Sequence, residues 1–292
     1  MTDRLDDRYA GKYLGRHHYL VDEDLIGKYV AVTGDDHPWY QGSSPWGHPV
    51  APALLFHSES YAFPTAQWYL PSRTGTLHVK QQWELFRPIR VGSTVSTSAM
   101  VVDRYQKRDR DVVVLEVTVI DEEGAMTARS RCHQSFLCEV TDRASVVAPG
   151  DERAKKPRPG SRVDGAQTFS STEKLVDVEQ CLAFSGPGVN LQTDRQAARG
   201  LGFPEIVVQG TMSTTFISSL MTREFGRGWY EGGRLDLSFV NVLWCGESVR
   251  AKGAVAEHYS VGSRRRAMCQ VWTEKPDGTT TTIGTAGASI VQ

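Results

Sequence analysis

Apolar and polar positions along this chain follow two rhythms, and the succession of rhythms occurs twice. Over residues 22–32, Leu25, Ile26, Tyr29 and Val30 recur at helical spacing after acidic residues suited to a helix start. Residues 52–63 carry Leu54, Leu55, Phe56 and Tyr61 and predict a buried helix. Strand-like runs follow at 77–87, 93–104, 111–121 and 126–139, and the Val-rich run 111–121 ends at Glu122-Glu123-Gly124, a hairpin signal. The second half repeats this order. Short helices are predicted at 176–184 and 194–200, the latter with Asp194 as N-cap. In 211–225, Met212, Phe216, Ile217, Leu220 and Met221 share one helical face. Strand-like runs then occupy 233–242, 247–259, 264–274 and 279–291, with Lys275-Pro276-Asp277-Gly278 as the turn between the last two.

The duplication predicts an α+β protein of two lobes. Residues 148–160, charged and rich in Pro and Gly, read as a connector. The expected boundaries are therefore a first lobe at 1–147, a linker at 148–165 and a second lobe at 166–292. A length of 292 residues with 40% hydrophobic content suffices for a substantial core. The formal net charge of -1 gives no electrostatic reason to bind nucleic acid or an anionic membrane. No apolar run approaches the roughly 20 residues needed to span a bilayer. Residues 1–19 are polar and lack the apolar core of a signal peptide, so a cytoplasmic soluble protein is expected. The five cysteines form no CxxC pair and read as reduced, packing thiols. Neither a metal nor a redox cofactor is implied.

One motif also recurs. The first copy reads Thr33-Gly34-Asp35-Asp36-His37-Pro38-Trp39-Tyr40, followed by Gly47-His48-Pro49-Val50-Ala51-Pro52. The second reads Ser185-Gly186-Pro187-Gly188-Val189-Asn190-Leu191-Gln192, followed by Gly202-Phe203-Pro204 and Gln209-Gly210. With Leu77-His78 and Phe86-Arg87-Pro88, this order resembles the MaoC-like acyl-thioester dehydratases and hydratases. The resemblance implies a double hotdog fold, in which two antiparallel sheets each wrap a central helix. It also implies a substrate carried as a thioester on coenzyme A or on the phosphopantetheine of an acyl carrier protein. A homodimer is compatible with it.

The family pattern is roughly Gly-Asp-x-Asn-Pro-hydrophobic-His, with Asp and His as the catalytic pair. Dehydration needs a base for the α-proton and an acid for the departing hydroxyl. It also needs a donor for charge growing on the thioester oxygen. In the first copy Gly34, Asp35 and Pro38 match, His37 stands where Asn is usual, and Tyr40 stands where the catalytic His is expected. In the second, Pro187 replaces the Asp and Gln192 the His, so that copy has no side chain able to transfer a proton. The resemblance thus places catalysis on Asp35, His37 and Tyr40. Asn190, Gln192, Gln209, Gly210, Thr211 and His48 are candidates for holding the substrate, with amides near Gly210 and Thr211 facing a thioester carbonyl.

Three readings of the altered first copy stay open: a hydratase with a relocated histidine, an enoyl-thioester isomerase or oxa-addition cyclase, and a lobe that only binds. A hotdog thioesterase using Glu59 is a fourth. Plain alternatives exist for several residues: Asp36 as a turn residue, His48 bonded locally in its loop, His57 as a satisfied interior histidine, and Arg264-Arg265-Arg266 as a solvated strand edge.

Overall fold

The computed structural model describes residues 8–63, 77–107, 110–137 and 167–291. The connector 148–165 and Cys138 lie outside them.

Strand β1 (Tyr13–Leu20) leads into helix α1 (Glu23–Thr33), and strands β2 (Leu77–Leu85), β3 (Thr94–Lys107), β4 (Arg110–Asp121) and β5 (Met126–Leu137) complete the first half. The second half holds β6 (Thr168–Ser170), β7 (Lys174–Leu175), α2 (Val178–Ser185), α3 (Arg195–Gly200), α4 (Gly210–Phe225) and α5 (Arg227–Tyr230). It closes with β8 (Arg234–Phe239), β9 (Ser248–Val261), β10 (Arg264–Glu274) and β11 (Thr280–Ser289). Within the halves the strand orders are β1-β3-β4-β5-β2 and β8-β11-β10-β9-β6, one the reverse of the other. The duplication read from sequence is therefore a duplication of topology. Backbone detail repeats too. Gly92 N–H donates to Val21 O and Gly246 N–H to Val176 O, both at 2.7 Å. Both glycines have positive φ, 90° and 88°, as these matching turns demand.

The half-sheets are not separate. β2 pairs antiparallel with β8, centred on Gln82 opposite Asp236, and makes one continuous sheet. Gln82 Nε2 donates to Asp236 Oδ2 at 2.9 Å, and Lys80 Nζ pairs with the same oxygen at 2.8 Å. On the inner face Trp83 and Leu235, opposite one another, are buried.

The long helix α4 lies against the concave face and touches β9, β10, β11 and β2. All of Thr211 to Thr222 is buried, including Ser213, Thr214, Thr215, Ser218 and Ser219. Small hydroxyl side chains let the sheet and the other lobe approach closely, and several bond back to the helix, as Thr215 does to Met212 O at 2.8 Å. The first lobe departs from expectation here. Residues 52–63 form successive turns and one 3-10 helix, Glu59–Tyr61, instead of a regular helix. Leu54, Leu55 and Phe56 are nonetheless buried as the pattern required.

α1 begins at Asp22, whose carboxylate accepts from Leu25 N at 2.9 Å, and ends at Gly34 in the left-handed region. α2 begins with a capping box between Asp177 and Gln180. Asp194 caps α3 as predicted. Strand β1 was not foreseen, nor were the short β6 and β7. The four described cysteines are free, three of them buried.

Glu59 is buried and spent inside the first lobe. It accepts from Thr97 at 2.6 Å and from Tyr19 at 2.9 and 3.0 Å, with His17 Nδ1 at 3.1 Å. His78 bonds Tyr61 at 2.7 Å and Lys80 O at 3.0 Å, a structural role as its strand position suggested. Arg266 reaches the carbonyl of Gly232, while Arg264 and Arg265 are exposed.

Two expectations follow. A Cβ on Gly228, in α5, would stand 1.8 Å from the carbonyl oxygen of Ser289 in β11. Gly228→Ala is expected to destabilise the fold by roughly 1–3 kcal/mol, read from denaturant midpoints. The second concerns His57, whose ring stacks on Phe184 at 4.2 Å and whose Nδ1 meets the Ser58 hydroxyl at 2.6 Å. Burial lowers its pKa from 6.5 to about 3, so the fold holds it neutral. Between these values the unfolded chain binds the proton and the folded one does not. Its contribution is complete above pH 6.5 and is lost as pH falls toward about 3. Melting as a function of pH is expected to show a shallower acid decline in His57→Phe; an unchanged slope would refute this.

Candidate functional site

The first motif lies at the junction of the lobes. Thr33 ends α1 with its hydroxyl donating to Tyr29 O at 2.8 Å, and the same oxygen accepts from Asp35 N at 3.2 Å. Gly34, with φ 60°, turns the chain so that Asp35 points inward. Pro38 opens the 3-10 helix Pro38–Tyr40, which returns Tyr40 toward the same point.

Asp35 is 2% exposed. Its Oδ2 accepts from the Tyr40 hydroxyl at 2.7 Å, and its Oδ1 from the Ser219 hydroxyl at 2.9 Å. Ser219 belongs to α4, in the other lobe. The carboxylate is therefore oriented from both halves of the molecule. Burial, then the neighbouring Tyr230 and Asp35, raises the pKa of Tyr40 well above its usual value. Its hydroxyl stays protonated at neutral pH and donates. Tyr29 and Tyr230 are raised likewise, first by burial and then by Asp35. Tyr230 donates to Ala51 O at 3.1 Å and also approaches Tyr40, which links the Ala51 turn to the carboxylate.

His37 is near this group without joining it. Its Nδ1 accepts from Trp39 N at 3.3 Å, and its ring packs edge-on against Trp39. Burial lowers its pKa, with Asp35 opposing. Asp36 faces solvent and pairs with Arg223 at 3.5 Å, in keeping with a turn residue. Trp39, Trp46 and Tyr230 form an aromatic cluster beside the motif, and Trp46 Nε1 donates to Glu231 at 2.7 Å.

None of the six residues expected to hold substrate hydrogen-bonds to the Asp35 carboxylate, whose partners are Tyr40 and Ser219. Asn190 Oδ1 accepts from Gln192 N at 2.8 Å, which closes their own turn. Gln209 is buried and accepts from Ser185 at 3.2 Å. Gly210 opens α4 beneath the Phe239 ring, which a Cβ would meet at 2.9 Å. Thr211 is fully buried, with its hydroxyl 3.5 Å from that of Ser58. His48 Nδ1 lies 3.1 Å from Pro49 O, the local bond.

Sequence reasoning missed Ser219 and Lys174. Lys174, in β7, donates to Thr33 O at 2.6 Å and Gly34 O at 3.1 Å, immediately before Asp35. Two positions 184 residues apart carry no local signal of their contact. A surface concavity of about 370 Å³ is lined by residues that include Glu84, Arg129, Arg131, Arg234 and Asp236. None of Asp35, His37 and Tyr40 lines it. A water-sized crevice of about 10 Å³ lies at Ala51, Pro52, Ala53 and Tyr230. Among the described residues no group of three or more His, Cys, Asp or Glu could hold a metal ion, and no helix is long and apolar enough to cross a membrane.

No protein-family model and no curated protein matches the chain. Solved structures are similar to it throughout. One described as a MaoC-like dehydratase has a TM-score of 0.76 at 15% identity, over 98% of this chain and 99% of its own. A putative MaoC domain protein dehydratase from Chloroflexus aurantiacus has a TM-score of 0.72 at 9% identity, over 98% and 96%. A conserved hypothetical protein from Mycobacterium tuberculosis, described as having a double hotdog fold, has a TM-score of 0.63 at 14% identity, over 99% and 98%. The chain has the double hotdog fold found in these MaoC-like dehydratases and double hotdog proteins.

Proposed function

We propose that this chain adds and removes water across the double bond of a 2-enoyl/3-hydroxyacyl thioester, with Asp35 as its acid–base group. The observation that supports this reading is the double anchoring of Asp35, by Tyr40 from its own motif and by Ser219 from α4. A fixed carboxylate in a dry site is what proton transfer at carbon requires. One carboxylate can serve both transfers when the α-proton and the β-hydroxyl leave from the same face. It takes the first proton and returns it to the departing oxygen. Tyr40, held protonated, donates to Oδ2 and keeps the carboxylate in place. In this reading it fills the motif position of the expected histidine as an orienting donor and not as a base. The thioester is carried on coenzyme A or an acyl carrier protein.

The burial of Asp35 favours a second reading, in which both carboxylate oxygens serve only to pin the lobes together and the chain binds thioesters without turning them over. One variant separates the two. Asp35→Asn is expected to lower kcat for hydration of 2-enoyl-coenzyme A by about 10²–10⁴-fold with KM little changed. Tyr40→Phe, which keeps the ring and the carboxylate, should lose less. Absence of turnover by the wild-type chain would decide for the second reading, and an Asp35→Asn variant that loses melting temperature but no activity would take the acid–base role from Asp35.

A further inference from the structure

The C-terminal end of α1 carries no basic residue of its own in its last turn. Its last carbonyls carry the negative end of the helix dipole and need donors. The other lobe supplies them. Gln180 Nε2, in α2, donates to Val32 O at 3.2 Å. Lys174 Nζ donates to Thr33 O at 2.6 Å and to Gly34 O at 3.1 Å. The ammonium also stands over the Phe216 ring of α4 at 5.1 Å, so it touches α1, the motif and the central helix at once. A lysine recessed this far is costly unless it is paired or hydrogen-bonded. Desolvation lowers its pKa first, Asp35 opposes, and Arg223 and Asp36 act more weakly with opposite signs.

We infer that Lys174 is a positioning residue for Asp35. It clamps the two carbonyls that precede the carboxylate and brings a cation from the second lobe to the motif of the first. This role rests on the reading of Asp35 as the acid–base group. The chemistry is simple. Two charge-assisted hydrogen bonds fix the peptide planes on either side of Gly34, a residue whose freedom would otherwise let Asp35 swing. Ser219 fixes the carboxylate end of the same residue. Backbone and side chain of Asp35 are thus both set by the lobe that has lost its own proton-transfer residues.

Lys174→Met removes charge and donors, Lys174→Gln keeps a donor without charge, and Lys174→Arg keeps both. Lys174→Met is expected to lower kcat for enoyl-thioester hydration by about ten- to hundred-fold with little change in KM, because misplacing a reacting group costs that much. Arg should restore most of the loss and Gln less. In an Asp35→Asn background, Lys174→Met should cost nothing further, and this non-additivity marks action through Asp35. Hydrogen exchange of the amides at 34–40 should rise in the Met variant and fall again with Arg. If Met unfolds the chain, the Gln variant carries the same comparisons. Unchanged kcat in folded Lys174→Met (or in Lys174→Gln where Met unfolds), additive losses in the double variant, or no rescue by Arg would overturn the role while Asp35 stands. An Asp35→Asn variant with full activity would overturn the Asp35 reading itself, and this role with it.

Discussion

The antiparallel pairing of β2 with β8 fixes the geometry on which everything else depends. Two lobes held only by a connector would sample many orientations. Joined edge to edge through backbone hydrogen bonds, with Trp83 opposite Leu235 beneath the seam, they have one. The pairing also removes the two sheet edges that would be most exposed to wrong partners. Its functional consequence lies on the concave side. A fixed seam lets α4 present Ser219 to Asp35, and lets β7 present Lys174 to the end of α1, at hydrogen-bond distances. Such contacts tolerate errors of only a few tenths of an ångström.

That precision matters because Asp35 is buried. A carboxylate removed from water is strongly unfavourable unless its oxygens are bonded and charge lies near. Here Tyr40 and Ser219 bond one oxygen each, and the ammonium of Lys174 lies just behind the backbone. The surrounding tyrosines matter differently. Tyr29, Tyr40 and Tyr230 are all shifted away from ionisation, mainly by burial. Protonated, they bring no competing negative charge, and Tyr40 and Tyr230 donate. The site sets one buried carboxylate among protonated tyrosines, with the Lys174 ammonium behind the backbone as its nearby positive charge.

Much of the fold was legible in the sequence. The run 111–121 is rich in β-branched residues, and β4 occupies that place with one residue added at its start. Asp194 was readable as a cap because its spacing to the next amides is local, and the acidic start of α1 was visible for the same reason; Asp22 and Asp177 cap their helices by the same chemistry. β1 escaped notice because Arg16, His17 and His18 give an edge strand no apolar rhythm, and tertiary pairing with β3 decides it. The first lobe's expected helix failed for a related reason. Leu54, Leu55 and Phe56 are apolar neighbours that any compact turn can bury, and they do not demand a helix. In the site, Asp35 and Tyr40 were readable because they lie only five positions apart in one motif. Ser219 looked like one more small residue on a buried helix, and Lys174 like one more surface cation.

The unequal fates of the two motif copies follow from this arrangement. A lobe that must hold its neighbour's carboxylate keeps its sheet, its central helix and the side chains that reach across. It does not need its own proton-transfer residues. The second copy fits that description. Pro187 and Gln192 stand where acid–base groups are expected, and Asn190 and Gln192 now close a turn. The same lobe contributes Ser219, Lys174 and Gln180 to the first copy. The support is one-directional: α4, a helix of 16 residues, carries the Ser219 hydroxyl to Asp35, whereas the second copy has Pro187 at the matching position and offers no carboxylate to hold.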